Sequence, residues 1–204
     1  MKYSLINREN PLVLASVSPR RKAILKQIGI PFESAGSFVE ENCYKAVKPS
    51  DIVCQISMLK ARSMHYNYQS RWILGADTIV TANKRIFGKP KDYFECRDML
   101  LHLSGKNHSV ITGFCILDPE GKTVHLEAVI TKVKIKQLSE LEIEAYIKTQ
   151  EPFGKAGAYA IQGVGSFMVE NLNGSYTNVV GLPVFEVVLA LTKCGALKAF
   201  PFIV

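Results

Sequence analysis

The sequence predicts an α/β fold. Apolar, strand-like runs alternate with amphipathic helical stretches along the chain. Recognisable capping residues mark the helix starts, and no repeat, low-complexity tract or obvious linker interrupts the pattern.

Residues 12–16 (Leu-Val-Leu-Ala-Ser) read as a buried strand. Ser18-Pro19 then opens a helix, with Ser as N-cap and Pro at the first helical position. That helix carries Ile24 and Leu25 and stops at Gly29, before a short strand over 31–35. Ser50-Asp51 begins a second helix with Ile52, Ile56, Leu59 and Met64 at helical spacing. Residues 72–80 form the next buried strand, and Asn83-Lys84 turns it into 85–87. Asp92 and Glu95 make a capping-box-like start for a helix that ends before Gly105. Residues 109–117 and 123–135 pair as a hairpin closed by Asp118-Pro-Glu-Gly121. Ser139-Glu-Leu-Glu142 is a second capping box, opening a helix to about Lys148. A glycine-rich stretch covers 154–165, a strand is predicted over 166–172, and Pro183 opens a last helix ending near Gly195.

A chain of 204 residues, 48% hydrophobic and 21% charged, fits one domain with its own core or two small lobes sharing one. We read residues 1–204 as a single domain. The net charge of +7 favours an anionic partner. Lys and Arg are dispersed, however, and no nucleic-acid-binding signature accompanies them. A small anionic ligand is expected ahead of a polymer, with no stable nucleic-acid partner. Five cysteines without a CxxC argue against a disulfide framework or zinc ribbon and for reduced thiols. Neither a signal peptide nor a membrane-spanning apolar run is seen, so no membrane association and a cytoplasmic location are expected. Homodimers are the commonest assembly by base rate.

Four motifs could carry chemistry. Ser16-Val-Ser-Pro-Arg-Arg21 sits where a strand feeds a helix N-terminus, a place suited to anions. Arg20 and Arg21 add guanidinium forks, and Ser16 adds a hydroxyl; a capped surface helix with solvated arginines is the alternative. In Gly75-Ala-Asp-Thr78, Asp77 interrupts an apolar strand, where a carboxylate needs a partner. A metal, another cation, a structural lysine or backbone amides would each serve. Phe87-Gly-Lys-Pro-Lys91 presents Lys89 on a loop, for phosphate or for solvent. Lys155-Ala-Gly-Ala-Tyr-Ala-Ile-Gln-Gly163 allows close backbone approach, and Gln162 offers the donor and acceptor that reading a base edge requires. It reads equally as a glycine-rich turn. Glu40 and Glu41 either join Asp77 at a cation or form an exposed charged turn. The four histidines show no zinc spacing.

In this order and spacing the motifs resemble the Maf family of nucleotide pyrophosphatases. The resemblance also takes in Leu103-Ser-Gly-Lys-Asn-His108, Thr112-Gly113 and Gly174-Ser-Tyr-Thr-Asn-Val-Val-Gly-Leu-Pro183, and it covers residues 12 to 190. It departs at Val17, Gln150 and Gly154. It implies an elongated, twisted mixed β-sheet flanked by helices, with two lobes and a central cleft, of the Maf and inosine triphosphatase-like kind. It also implies hydrolysis of a nucleoside triphosphate to the monophosphate and pyrophosphate with a divalent cation, Mg²⁺ or Mn²⁺. By resemblance Asp77 is the catalytic proton acceptor, and Ser16, Arg20, Lys60 and Lys89 handle phosphate. Asp77 and Glu41 lie near the metal, and Arg21, Thr78 and Gln162 select the substrate as in members acting on dTTP and UTP. The rivals are action on 7-methyl-GTP, a non-catalytic nucleotide-binding regulator of cell division, and a nucleic-acid-binding module.

Overall fold

A computed structural model describes residues 3–37, 39 and 48–201. The described chain is α/β, as predicted. Its strands are β1 (Leu12–Leu14), β2 (Phe32–Ser34), β3 (Ile73–Ala82), β4 (Arg85–Phe87), β5 (Asn107–Leu117), β6 (Thr123–Ile135) and β7 (Val169–Asn173). Its helices are α1 (Pro19–Gln27), α2 (Pro49–His65), α3 (Tyr93–Leu103), α4 (Glu140–Lys148), α5 (Tyr176–Val180) and α6 (Val184–Lys193). The strands form a seven-stranded mixed sheet in the order β2-β1-β3-β5-β6-β7, with β4 pairing β3. β1 runs parallel to both β2 and β3, whereas β4 on β3 and β7 on β6 are antiparallel. Among the described residues no helix is long and apolar enough to cross a membrane.

Two compact units share these strands. The first comprises Met1–Asp77, Thr112–Val129 and Gly181–Val204; the second comprises Thr78–Ile111 and Ile130–Val180. In the first, Val13, Ala15 and Ile73 pack with Cys115 and Leu117 against Ala61 and Met64 of α2. In the second, Val80, Phe87, Val110 and Val133 pack with Met99 and Leu103 of α3 and Ile143 and Tyr146 of α4.

Local signals place the helix starts well. Ser139 Oγ accepts from Glu142 N at 3.3 Å, and the Glu142 carboxylate accepts from Ser139 N at 2.8 Å, which completes the predicted capping box. The Asp92 start is half of one: Asp92 caps Glu95 N, while the Glu95 carboxylate takes the N–H of Lys91. Ser18 occupies the N-cap of α1, yet its own hydroxyl makes no cap; instead Ser16 Oγ accepts from Ser18 N at 3.2 Å.

Three readings need correction. Residues 166–172 are not one strand: a 3₁₀ turn runs over Gly163–Met168 and β7 begins only at Val169. Gly163 and Gly165 favour tight turning here, and a carboxylate from elsewhere in the chain holds that turn. The short helix α5 lacks a hydrophobic period long enough to announce itself. The buried face of α2 is Val53, Ile56, Ser57, Lys60, Ala61 and Met64, and Leu59 is exposed. Backbone contact with the sheet sets this rotation. A Cβ on Gly75 would lie 2.1 Å from the Ser57 carbonyl oxygen, and one on Gly113 would lie 2.4 Å from the Val53 carbonyl carbon. α2 therefore rests directly on the glycines of β3 and β5. Gly75→Ala is expected to cost about 1–3 kcal/mol, or more because the obstacle is backbone. Chemical denaturation measures it, and an unchanged midpoint would mean that α2 is not seated this closely.

Candidate active site

β1 and β3 are parallel neighbours, with Leu14 opposite Leu74 and Ala15 N donating to Leu74 O. Ser16 therefore follows the carboxyl end of β1, and Asp77 lies within β3 three residues past Leu74, the last residue of β3 that pairs with β1, near the edge at which open α/β sheets bind ligands. Ser16 is buried, and its Oγ accepts from Ser18 N and from Arg21 Nη1, both at 3.2 Å. Both bonds use oxygen lone pairs, so the hydroxyl proton is left to donate. Arg21 is buried too, with Nε donating to Gly181 O at 2.8 Å. It ties the start of α1 to the chain before α6 rather than standing in solvent. Arg20 is half-buried, and burial pulls its guanidinium below its ordinary value. It stays charged at neutral pH.

Asp77 finds its partner in Lys60, whose ammonium lies 2.6 Å from Oδ1. The side chains are 9% and 10% exposed, so neither charge is compensated mainly by water. Lys60 is thus a lysine partner of the kind the sequence left open to Asp77. The close seat of α2 on Gly75 makes the pair: Lys60 precedes Ala61, which also abuts Gly75, and Asp77 lies two residues beyond. Thr78 is next along β3 and partly exposed.

In the second unit Lys89 is exposed on the loop after β4. Gly88 O accepts from Gly157 N at 3.0 Å, joining this loop to the glycine-rich stretch 155–163. Gly157 takes a φ of +72° and packs on Val80, where a Cβ would lie 3.0 Å from both Val80 methyls. Gln162 is exposed and extended, at the head of the 3₁₀ turn. Glu41 lies outside the described residues.

Three side chains of this unit were not singled out from the sequence. The Glu151 carboxylate accepts from Val164 N at 3.2 Å and Gly165 N at 2.7 Å. Tyr146 Oη accepts from Ala160 N at 3.2 Å. His108 Nε2 meets Tyr159 Oη at 2.7 Å, with both residues buried. An acidic residue just ahead of a glycine run, whose backbone N–H groups must be satisfied, was the available signal. The four described cysteines are free thiols, and burial raises Cys96 and Cys115 to about 11.

Burial lowers His108 from 6.5 to about 4. Its neutral form contributes stability that is intact above pH 6.5. As pH falls the unfolded chain takes the proton first, so this contribution declines and is gone below pH 4. At 1.36 kcal/mol per pH unit it amounts to roughly 3 kcal/mol. His108→Gln is expected to remove this part of the pH dependence. Urea unfolding of both proteins at pH 7 and pH 4.5 measures it, and parallel losses would contradict it.

Residues 11–194 match the family described as Maf-like protein, and the chain belongs to that family. It is 45% identical over 95% of its length to the dTTP/UTP pyrophosphatase of Syntrophotalea carbinolica, covering 89% of that protein. The dTTP/UTP pyrophosphatase of Geotalea uraniireducens is 44% identical over 95% of this chain and 100% of its own. That of Ruminiclostridium cellulolyticum is 49% identical over 84% of this chain and 90% of its own.

Proposed function

We propose that this chain is a nucleoside triphosphate pyrophosphatase that hydrolyses dTTP and UTP to the monophosphate and pyrophosphate. The observation that carries the reading is the buried Lys60–Asp77 pair, 2.6 Å apart, with Asp77 on β3 just past its pairing with β1. It stands in a chain whose relatives bear that activity in their names. Burying a charged pair in a strand is costly, and costs of that kind are expected at functional sites.

Asp77 accepts a proton from a water that attacks the α-phosphorus in line. The bond from that phosphorus to the bridging oxygen of the β-phosphate breaks, and pyrophosphate leaves with the electron pair. Lys60 has three donors, one of which is on Asp77, and it compensates charge beside the reacting group. Ser16, Arg20 and Lys89 hold the phosphate oxygens, and Arg21, Thr78 and Gln162 set the choice of base. One carboxylate together with substrate phosphates and water is a donor set that Mg²⁺ and Mn²⁺ accept, so Asp77 fits a divalent cation, with Glu41 as a second ligand. When bound, that cation neutralises charge on the phosphates and on the departing pyrophosphate. A cytoplasmic location suits a nucleotide substrate.

Pyrophosphate release from dTTP, UTP, CTP, GTP, ATP and 7-methyl-GTP, with Mg²⁺ or Mn²⁺, tests the reading. We expect the highest kcat/KM for dTTP and UTP, because a side-chain amide matches the adjacent O4 acceptor and N3–H donor of the pyrimidine. A preference for 7-methyl-GTP would overturn the base assignment and leave the chemistry standing. No release from any of them would favour a non-catalytic binder.

A further inference from the structure

Gln162 lies between two sets of anchors, and their arrangement has a consequence for selectivity. On its N-terminal side Tyr159 is held by His108 at 2.7 Å, and the Ala160 N–H donates to Tyr146 Oη at 3.2 Å. On its C-terminal side the Val164 and Gly165 N–H groups donate to separate oxygens of Glu151, at 3.2 and 2.7 Å. The Tyr146 hydroxyl and the Glu151 carboxylate both lie against Gly165: the carboxylate takes its N–H, and a Cβ there would lie 2.5 Å from the hydroxyl. Glu151 is itself fixed: its N–H donates to Thr149 Oγ1 at 3.2 Å, and the Lys155 ammonium hydrogen-bonds to its carbonyl oxygen. The clamp also explains Gly163. At φ +68°, a Cβ there would lie 2.0 Å from Glu151 Oε1, so only glycine lets the carboxylate approach. The exposed side chain of Gln162 thus stands on a backbone fastened within two residues on each side. A flexible glutamine on a glycine-rich loop would lose most of its discrimination to conformational entropy.

We propose that Glu151 is a positioning residue for base selection. Through the amides of residues 164 and 165, it fixes the pose in which Gln162 meets the pyrimidine edge. This rests on the reading of Gln162 given above. A hydrogen bond made by a pre-positioned amide is worth up to about tenfold in discrimination.

The test compares kcat/KM for dTTP and for GTP in the wild type, Gln162→Ala, Glu151→Ala, Glu151→Gln and the Glu151→Ala/Gln162→Ala double variant. Inhibition by tripolyphosphate, which carries no base, is measured alongside for the Glu151 variants. Gln162→Ala and Glu151→Ala are each expected to lower the dTTP:GTP ratio by about tenfold. The double variant is expected to fall no further, because Glu151 acts through Gln162. Glu151→Gln keeps one accepting oxygen and falls between, and it carries the comparison if Glu151→Ala does not fold. Tripolyphosphate inhibition stays at the wild-type level. If Gln162→Ala collapses the ratio while the Glu151 variants keep it, or if the double variant is additive, the proposal is overturned and the base reading stands. If Gln162→Ala leaves the ratio unchanged, the base reading fails and the proposal falls with it.

Discussion

Asp77→Asn is expected to lower pyrophosphate release on the order of a hundredfold or more while the protein stays folded. The amide keeps an oxygen in the place of Oδ1, so a hydrogen bond from Lys60 at the present 2.6 Å can persist. It cannot accept a proton from water at neutral pH, and it is a far poorer ligand for a divalent cation. Loss of a general base commonly costs about that factor, through the proton transfer alone. The change also removes one charge of a buried pair, so some stability is lost. Assays therefore belong well below the unfolding temperature of the variant, with circular dichroism as the check on folding. A further distinction lies in kcat against KM. If Asp77 acts in the transition state, kcat falls while KM for dTTP moves little. Near-normal turnover in folded Asp77→Asn protein removes the residue from the role proposed for it.

The parts of the fold that were legible in the sequence are those fixed by neighbours in the chain. The Ser139–Glu142 capping box is complete because its donors and acceptors lie three residues apart. The start of α1 at Pro19 and the hairpin of β5 and β6 were readable for the same reason. What failed depended on distant partners. The 3₁₀ turn over Gly163–Met168 is held by Glu151, and nothing within 166–172 reports that. The face of α2 was misjudged because the periodicity of Ile52, Ile56 and Leu59 ignored a lysine and two small residues. Yet Ser57, Lys60 and Ala61 are what a helix needs to lie on Gly75 and Gly113. In the candidate site, the glycine before Asp77 was visible, but its effect was not. It draws α2 close enough for Lys60 to be the partner of Asp77, and that partner was one of several left open. Arg21 shows the same limit: its motif predicts a presented guanidinium, whereas Gly181, far along the chain, accepts its Nε hydrogen.

Lys60→Met is expected to be the most destabilising of these changes, at about 3–5 kcal/mol. The substitution keeps most of the volume and apolar stem of the side chain, so it leaves little cavity. What it removes is the charge that compensates Asp77, whose side chain is only 10% exposed. A carboxylate held there without its ammonium loses the interaction that offset its desolvation, and water cannot replace it without opening the seat of α2. Against a usual stability of roughly 5–15 kcal/mol, that is a large share. The companion change distinguishes this cause from simple packing loss. In Lys60→Met/Asp77→Asn neither residue carries a charge, so the double variant is expected to be more stable than Lys60→Met alone. The two single costs should then sum to more than the double by at least about 1 kcal/mol. Equilibrium denaturation of the four proteins at pH 7 closes the cycle. Strictly additive costs, or a Lys60→Met protein as stable as the wild type, would show that the pair does not compensate a buried charge. Asp77 would then have to be stabilised by something other than Lys60.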